Sequence, residues 1–225
     1  NRSAYALASA RLDLAGAYAT LDCADLLHEF NGGFNKAFCQ SPLGIRARRL
    51  NLNPAYLNKI GRPFSSEWDF PRRVCDALPD DGQAVVVIGN GAAFNHADAK
   101  ARAQFVEAGL VKSVIGLSPN LLRNTSVSLT MLVLGHGCNT IRMVDATDLS
   151  VHGRRWNTMG SDEINEVLNR LANDTPYSAD VAVEAISAAD YELSPSRFLA
   201  KDIEMVNPPP LEDLALSIDR GVGIK

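Results

Sequence analysis

The side chains best suited to chemistry lie in the first quarter of the chain. Phe34 to Cys39 reads as a short strand, and Gln40-Ser41-Pro42-Leu43-Gly44 follows it as a turn. Gln40 brings an amide acceptor together with two donors that need partners of their own. Upstream, Asp25-Leu26 follows Ala19–Cys23, which reads as another short strand. The Asp25 carboxylate can accept a hydrogen bond from an exocyclic amine, or it can cap a helix with no ligand at all. Downstream, Arg46, Arg48 and Arg49 form the densest basic patch, with Arg72-Arg73 and Arg154-Arg155 next. Each of these equally suits a solvated face. The chain carries a net charge of −4, with a pI near 5.6. It is therefore not a basic nucleic-acid binder as a whole, although a local patch can still approach a phosphate backbone.

Other chemistries find little support. The four cysteines, Cys23, Cys39, Cys75 and Cys138, form no C-x-x-C pair and share no metal spacing with a histidine. Three of them lie in or beside apolar stretches, so they read as buried free thiols, in keeping with a cytoplasmic chain. No apolar run is long enough to cross a membrane, and no signal peptide opens the sequence. Gly89-Asn90-Gly91 begins like a dinucleotide loop, but Phe94 stands where the third glycine belongs. These glycines read as a tight turn.

The elements that would hold such groups are clearest after residue 80. Ala84 to Ile88 is a continuous apolar run between Asp81-Gly82 and Gly89-Asn90-Gly91. It reads as a strand buried on both faces. Ala97 to Glu107 predicts a helix stopped by Gly109. Val111–Leu117, Ser128–Leu134 and Thr140–Ala146 predict three more strands. Helices are predicted over Ala4–Ala15, over Trp68–Leu78 and, capped at Ser161, over Asp162–Ala172. Strands alternating with helices indicate an α/β sheet.

The order of these segments resembles the C-terminal half of the methyltransferase domain in N6-adenine DNA methylase (M) subunits of type I restriction-modification systems. The likeness rests on Asp81-Gly82, Val85-Val86-Val87-Ile88, Gly91-Ala92-Ala93-Phe94 and Arg102. It continues through Phe105-Val106-Glu107, Gly109-Leu110-Val111, Val114-Ile115-Gly116-Leu117, Leu121-Leu122, Asn124-Thr125 and Met131-Leu132-Val133-Leu134. Tyr191 to Leu199 resembles the family's closing motif, for which a docking role is expected, with Arg197 on a carboxylate or carbonyl. The resemblance implies a partial doubly wound, mostly parallel sheet with flanking helices, lacking its first two strands. The Ala19–Cys23 strand would then pair with Phe34–Cys39 or leave an open edge suited to a homodimer.

The same resemblance implies a function. Family members carry an Asn-Pro-Pro-aromatic turn whose amide and adjoining carbonyl accept hydrogen bonds from a flipped adenine. Gln40, Ser41, Pro42 and Leu43 occupy that turn here. Gln40 replaces the asparagine, Ser41 the first proline and Leu43 the stacking aromatic, so only Pro42 and Gly44 keep the pattern. Asp25 and Leu26 fall where the family contacts S-adenosylmethionine, and Arg46, Arg48 and Arg49 could approach DNA. The implied activity is transfer of a methyl group from S-adenosylmethionine to adenine N6 at specific DNA sites. The altered turn supports the alternative of a non-catalytic scaffold that binds DNA or partner subunits. A small nucleotide-binding α/β protein ranks below both, because no phosphate loop is present. Expected partners are DNA and specificity and restriction subunits, or a fused target-recognition domain. Residues 1–205 form the methylase-like unit. Residues 206–225 form a proline linker, Asn207 to Pro210, and the start of a target-recognition-like segment. The family's glycine-rich cofactor loop is absent from this chain, which by itself is expected to bind S-adenosylmethionine weakly or not at all.

Overall fold

A computed structural model describes residues 2–22, 33–44, 66–123 and 125–199. In chain order these form α1 (Arg2–Leu14), β1 (Lys36–Gln40), α2 (Ser66–Ala77), β2 (Gln83–Gly89) and α3 (Asn90–Phe94). A 3-10 turn at His96–Asp98 leads into α4 (Ala99–Glu107), β3 (Val111–Leu117), β4 (Leu129–Leu134) and β5 (Thr140–Ala146). The described part closes with α5 (Ser161–Ala172), β6 (Ser178–Ala182), α6 (Val183–Ala188) and α7 (Pro195–Leu199).

The strands form one six-stranded sheet in the order β1-β2-β4-β3-β5-β6. Pairing is parallel for β1 with β2 and for β3 with β5. It is antiparallel for β2 with β4, β4 with β3, and β5 with β6. Four strands therefore run one way, and β4 and β6 run against them. The connections explain this. β2 returns to β3 through α3 and α4, a helical crossover long enough to keep both strands pointing the same way. The described residues of the link from β3 to β4 form no helix, and β4 folds back beside β3 and fills the gap left next to β2.

Alternation along the strands feeds two cores. Val86 and Ile88 join Val114, Ile141 and Met143 on one face, beneath Trp68, Val74, Phe105, Ile186 and Leu193. Val87, Ile115, Leu117, Val144 and Ala146 point the other way, where Leu43, Leu121, Leu149, Met159, Val167 and Leu171 pack against them. The sheet is thus covered on both sides, which is why Ala84–Ile88 of β2 reads as an unbroken apolar run.

Two expectations need correction. Ala19 to Asp22 forms no strand; alanine is a poor strand former, and nothing in this stretch but Thr20 is β-branched. The predicted pairing of that segment with β1 therefore fails over its described part, Cys23 lying outside the described residues. Second, Ser161 is the first residue of α5 rather than its cap. Gly160 takes the cap position, and its N–H donates to the Glu163 carboxylate at 2.7 Å. On α5, Val167 and Leu171 pack inward, while Ile164 and Leu168 are exposed.

Candidate functional site

Four parallel-running strands deliver their carboxyl ends to one edge of the sheet, the edge where α/β folds gather ligands. β1 ends there at Gln40, whose side chain is exposed. The turn that follows is pinned to β2. Ser41 is buried, and its hydroxyl donates to the Val87 carbonyl at 2.9 Å, with its backbone N–H reaching the same oxygen at 3.4 Å. Pro42 is exposed, whereas Leu43 is half-buried and packs into the second core. Leucine at this place is drawn towards the sheet by its apolar surface.

A residue with no assigned role in the sequence reading ties this turn to the next one. Glu67, in the first turn of α2, accepts the Gly89 N–H at 2.5 Å and the Gly44 N–H at 3.3 Å. One carboxylate thus bridges the chain after β1 and the chain at the end of β2. Burial pushes the Glu67 pKa up, the two N–H donors pull it back, and the nearby Asp98 carboxylate raises it further. A Cβ at Gly89 would stand 2.9 Å from the Glu67 carboxylate oxygen. Gly89 has negative φ, so its missing side chain serves here to admit this carboxylate. In the sequence Glu67 looks like an ordinary acidic residue in a helix first turn; its second task needs two strands to converge.

Behind this edge the packing is rigid. The Trp68 indole donates to the Ala92 carbonyl at 3.1 Å, and its ring lies 5.0 Å from that of Phe105. The Arg72 guanidinium sits over the other partner of that pair, 5.3 Å from the Phe105 ring. Asp69 is buried beside them. Burial lifts its pKa to about 7, with Arg72 opposing and Asp98 adding to the rise. Arg102, 1% exposed, donates to the carbonyls of Tyr191 at 2.7 Å, Asn95 at 2.8 Å and Ala92 at 3.1 Å. In the closing motif, Arg197 pairs with the Glu192 carboxylate, and the Tyr191 hydroxyl donates to Glu107.

Further along the same edge, the segment after β3 is locked to a hairpin that follows β5. Asn90 accepts from the Thr130 hydroxyl at 2.9 Å, joining β4 to the start of α3. The Asn157 amide donates to the Pro119 carbonyl at 3.0 Å, and its backbone N–H donates to the Asn120 carbonyl at 2.8 Å.

The assigned residues divide plainly. Gln40, Ser41, Pro42 and Leu43 lie together at the carboxyl edge, beside β2. Asp25, Leu26, Arg46, Arg48 and Arg49 lie outside the described residues, as do Asn124 and residues 206–225. Cys39, Cys75 and Cys138 are free thiols, and no cluster among the described residues has a metal's ligand set. No described helix is long and apolar enough to cross a membrane. A cavity of about 820 Å³ opens at the opposite end of the sheet, near Lys112, Thr140 and Arg142. Arg142 there already donates to the Arg170 carbonyl at 3.0 Å and pairs with Asp174.

A protein-family model described as N-6 DNA Methylase matches residues 33–205, more than three quarters of the chain. Solved structures match over much of the same span. One is the methyltransferase subunit of a type I restriction-modification system from Streptococcus thermophilus, 23% identical with a TM-score of 0.75, covering 88% of this chain and 46% of its own. A second comes from a study of complex assembly in the type I restriction-modification system, 16% identical with a TM-score of 0.62, covering 81% of this chain and 41% of its own. A third is the M protein of the type I restriction enzyme EcoKI, 13% identical with a TM-score of 0.57, covering 74% of this chain and 43% of its own. At these identities the likeness shows a shared fold. The chain spans less than half the length of each of these three proteins.

Proposed function

The chain belongs to the N-6 DNA methylase family, and from that premise we propose that it is part of a site-specific adenine-N6 DNA methyltransferase of a restriction-modification system. One observation carries this reading. The Gln40 amide is exposed at the carboxyl edge of the sheet, on a turn held by Ser41 and Glu67. In the proposed reaction the Gln40 oxygen and the adjoining Ser41 carbonyl accept hydrogen bonds from the amino group of a flipped adenine. Two acceptors on one NH₂ orient the nitrogen for in-line attack. The pinned turn fixes the approach, since placement contributes most of the rate.

S-adenosylmethionine would supply the electrophilic methyl group. Asp25 and Leu26, the residues that the resemblance assigns to it, lie outside the described residues. Arg46, Arg48 and Arg49 are proposed DNA contacts. Specificity and restriction subunits, or a fused target-recognition domain, are the proposed partners, as is a second copy of the chain at the β1 edge.

A second reading is a methylase-like scaffold without catalysis. It is favoured by Leu43, whose packing into the second core puts an aliphatic side chain where a stacking ring would be needed. The two readings separate in a direct assay of methyl transfer to adenine in DNA by the intact protein. Transfer that falls at least about 100-fold in Gln40→Ala supports the enzyme. Absence of transfer under conditions where DNA binds supports the scaffold.

A further inference from the structure

The hairpin after β5 carries a concentration of positive charge on the same edge as the Gln40 turn. Val151 and Thr158 pair across it, with Val151 N–H donating to Thr158 at 2.8 Å and the return bond at 3.0 Å. Its tip is His152-Gly153-Arg154-Arg155-Trp156, and residues 149–161 contain no carboxylate. Arg154 and Arg155 are exposed and make no ion pair or hydrogen bond among the described residues. Arg123, from the segment after β3, lies over the Trp156 ring at 4.6 Å and adds a third guanidinium. Carboxylates only flank this stretch: Asp148 pairs with Arg170 at 2.7 Å, a guanidinium it shares with Glu166, and Glu163 on the far side accepts the Gly160 N–H.

This tip is fixed rather than loose. Asn157, 7% exposed, binds the Pro119 and Asn120 carbonyls and faces His152 Nδ1 at 3.2 Å. Leu149 and Met159 anchor the two arms in the second core. A Cβ on Gly153 would fall on the Trp156 carbonyl, so the bend needs glycine there. A merely solvated pair of arginines would not require a buried asparagine and a forced glycine to hold it.

We propose that the hairpin, with Arg123, Arg154 and Arg155, binds the phosphate backbone of duplex DNA beside the target base. This inference rests on the DNA-methylase reading. Strand spacing supports the geometry. β3 and β5 lie three and four strands from β1, which is about 14 to 19 Å at about 4.8 Å per strand. That distance matches about four to six base steps of B-form DNA at 3.4 Å per step. Arginine suits the task, because its planar fork grips phosphate oxygens and its face stacks on an aromatic ring.

The test uses the intact protein and a fluorescein-labelled duplex of about 30 base pairs and random sequence, because phosphate contacts do not depend on sequence. Binding is followed by anisotropy across a salt series. The double variant Arg154→Gln with Arg155→Gln is expected to make the slope of log affinity against log salt shallower by about two. The double lysine variant should keep most of the slope, and Lys112→Gln, at the opposite end of the sheet, should leave it unchanged. Both arginines are exposed, so an unaltered melting midpoint separates lost contact from lost fold. An unchanged slope in the double glutamine variant overturns the inference and leaves the methylase reading standing. A reduced slope with no methyl transfer by the parent protein supports the surface and counts against the enzyme. No binding of the duplex by the parent protein overturns both.

Discussion

Asp69 shows how far one residue's chemistry can depart from its type. Burial raises its pKa to about 7, against the pull of Arg72. Below about pH 4 this carboxyl is protonated whether the chain is folded or unfolded. As the pH rises from there to about 7, the unfolded chain releases the proton first, so stability falls; above that range the full penalty is present. Asp69→Asn removes the penalty. Its melting midpoint is therefore expected to exceed the parent's most at about pH 8, with the gap closing towards pH 4. A gap of equal size at both ends would sink this account. Nothing in the local sequence Glu67-Trp68-Asp69-Phe70 announces the shift, because it comes chiefly from the depth of burial and then from Asp98, far along the chain.

Among the elements, α4 owes its place in the fold to one side chain, Arg102. Its helical pattern and its family-like Arg102 are both visible in the chain. Arg102, however, is neither a surface charge nor a ligand group. It gathers three carbonyls from α3, the following turn and the closing motif into one buried contact. Arg102→Leu would leave those oxygens without donors, at a cost of about 3 kcal/mol or more in urea unfolding. Arg102→Lys should recover only part of that loss, because one ammonium cannot reproduce the fork. A cost under about 1 kcal/mol would mean the three bonds are replaced by water.

On the scale of the whole molecule, the sheet sets the distance between a turn that could hold a base and a hairpin that could hold its backbone. The half-buried Leu43 is the weak point of the first. In the intact protein, Leu43→Phe adds a π-face whose stacking is worth about 1–3 kcal/mol per base. DNA-dependent methyl transfer is therefore expected to show a lower KM for DNA by about fivefold or more. An unchanged KM would indicate that position 43 never meets a base.

The sequence alone determined the strands over Val111–Leu117 and Thr140–Ala146 to the residue, and the α/β class with them, since turn residues bound each apolar-rich run, Gly109 and Ser118-Pro119 around the first and Gly137 and Asn139 before the second. The family was also readable, because the apolar runs and their punctuation keep the order of a shared fold. Tertiary structure alone decided that β4 would lie between β2 and β3, that Glu67 would join two turns, and that Asn157 would brace an arginine-bearing tip. Each of these depends on groups far apart in the chain meeting across a sheet. Hydrophobic periodicity says which face of a segment is buried, but it carries no information about which neighbour covers it.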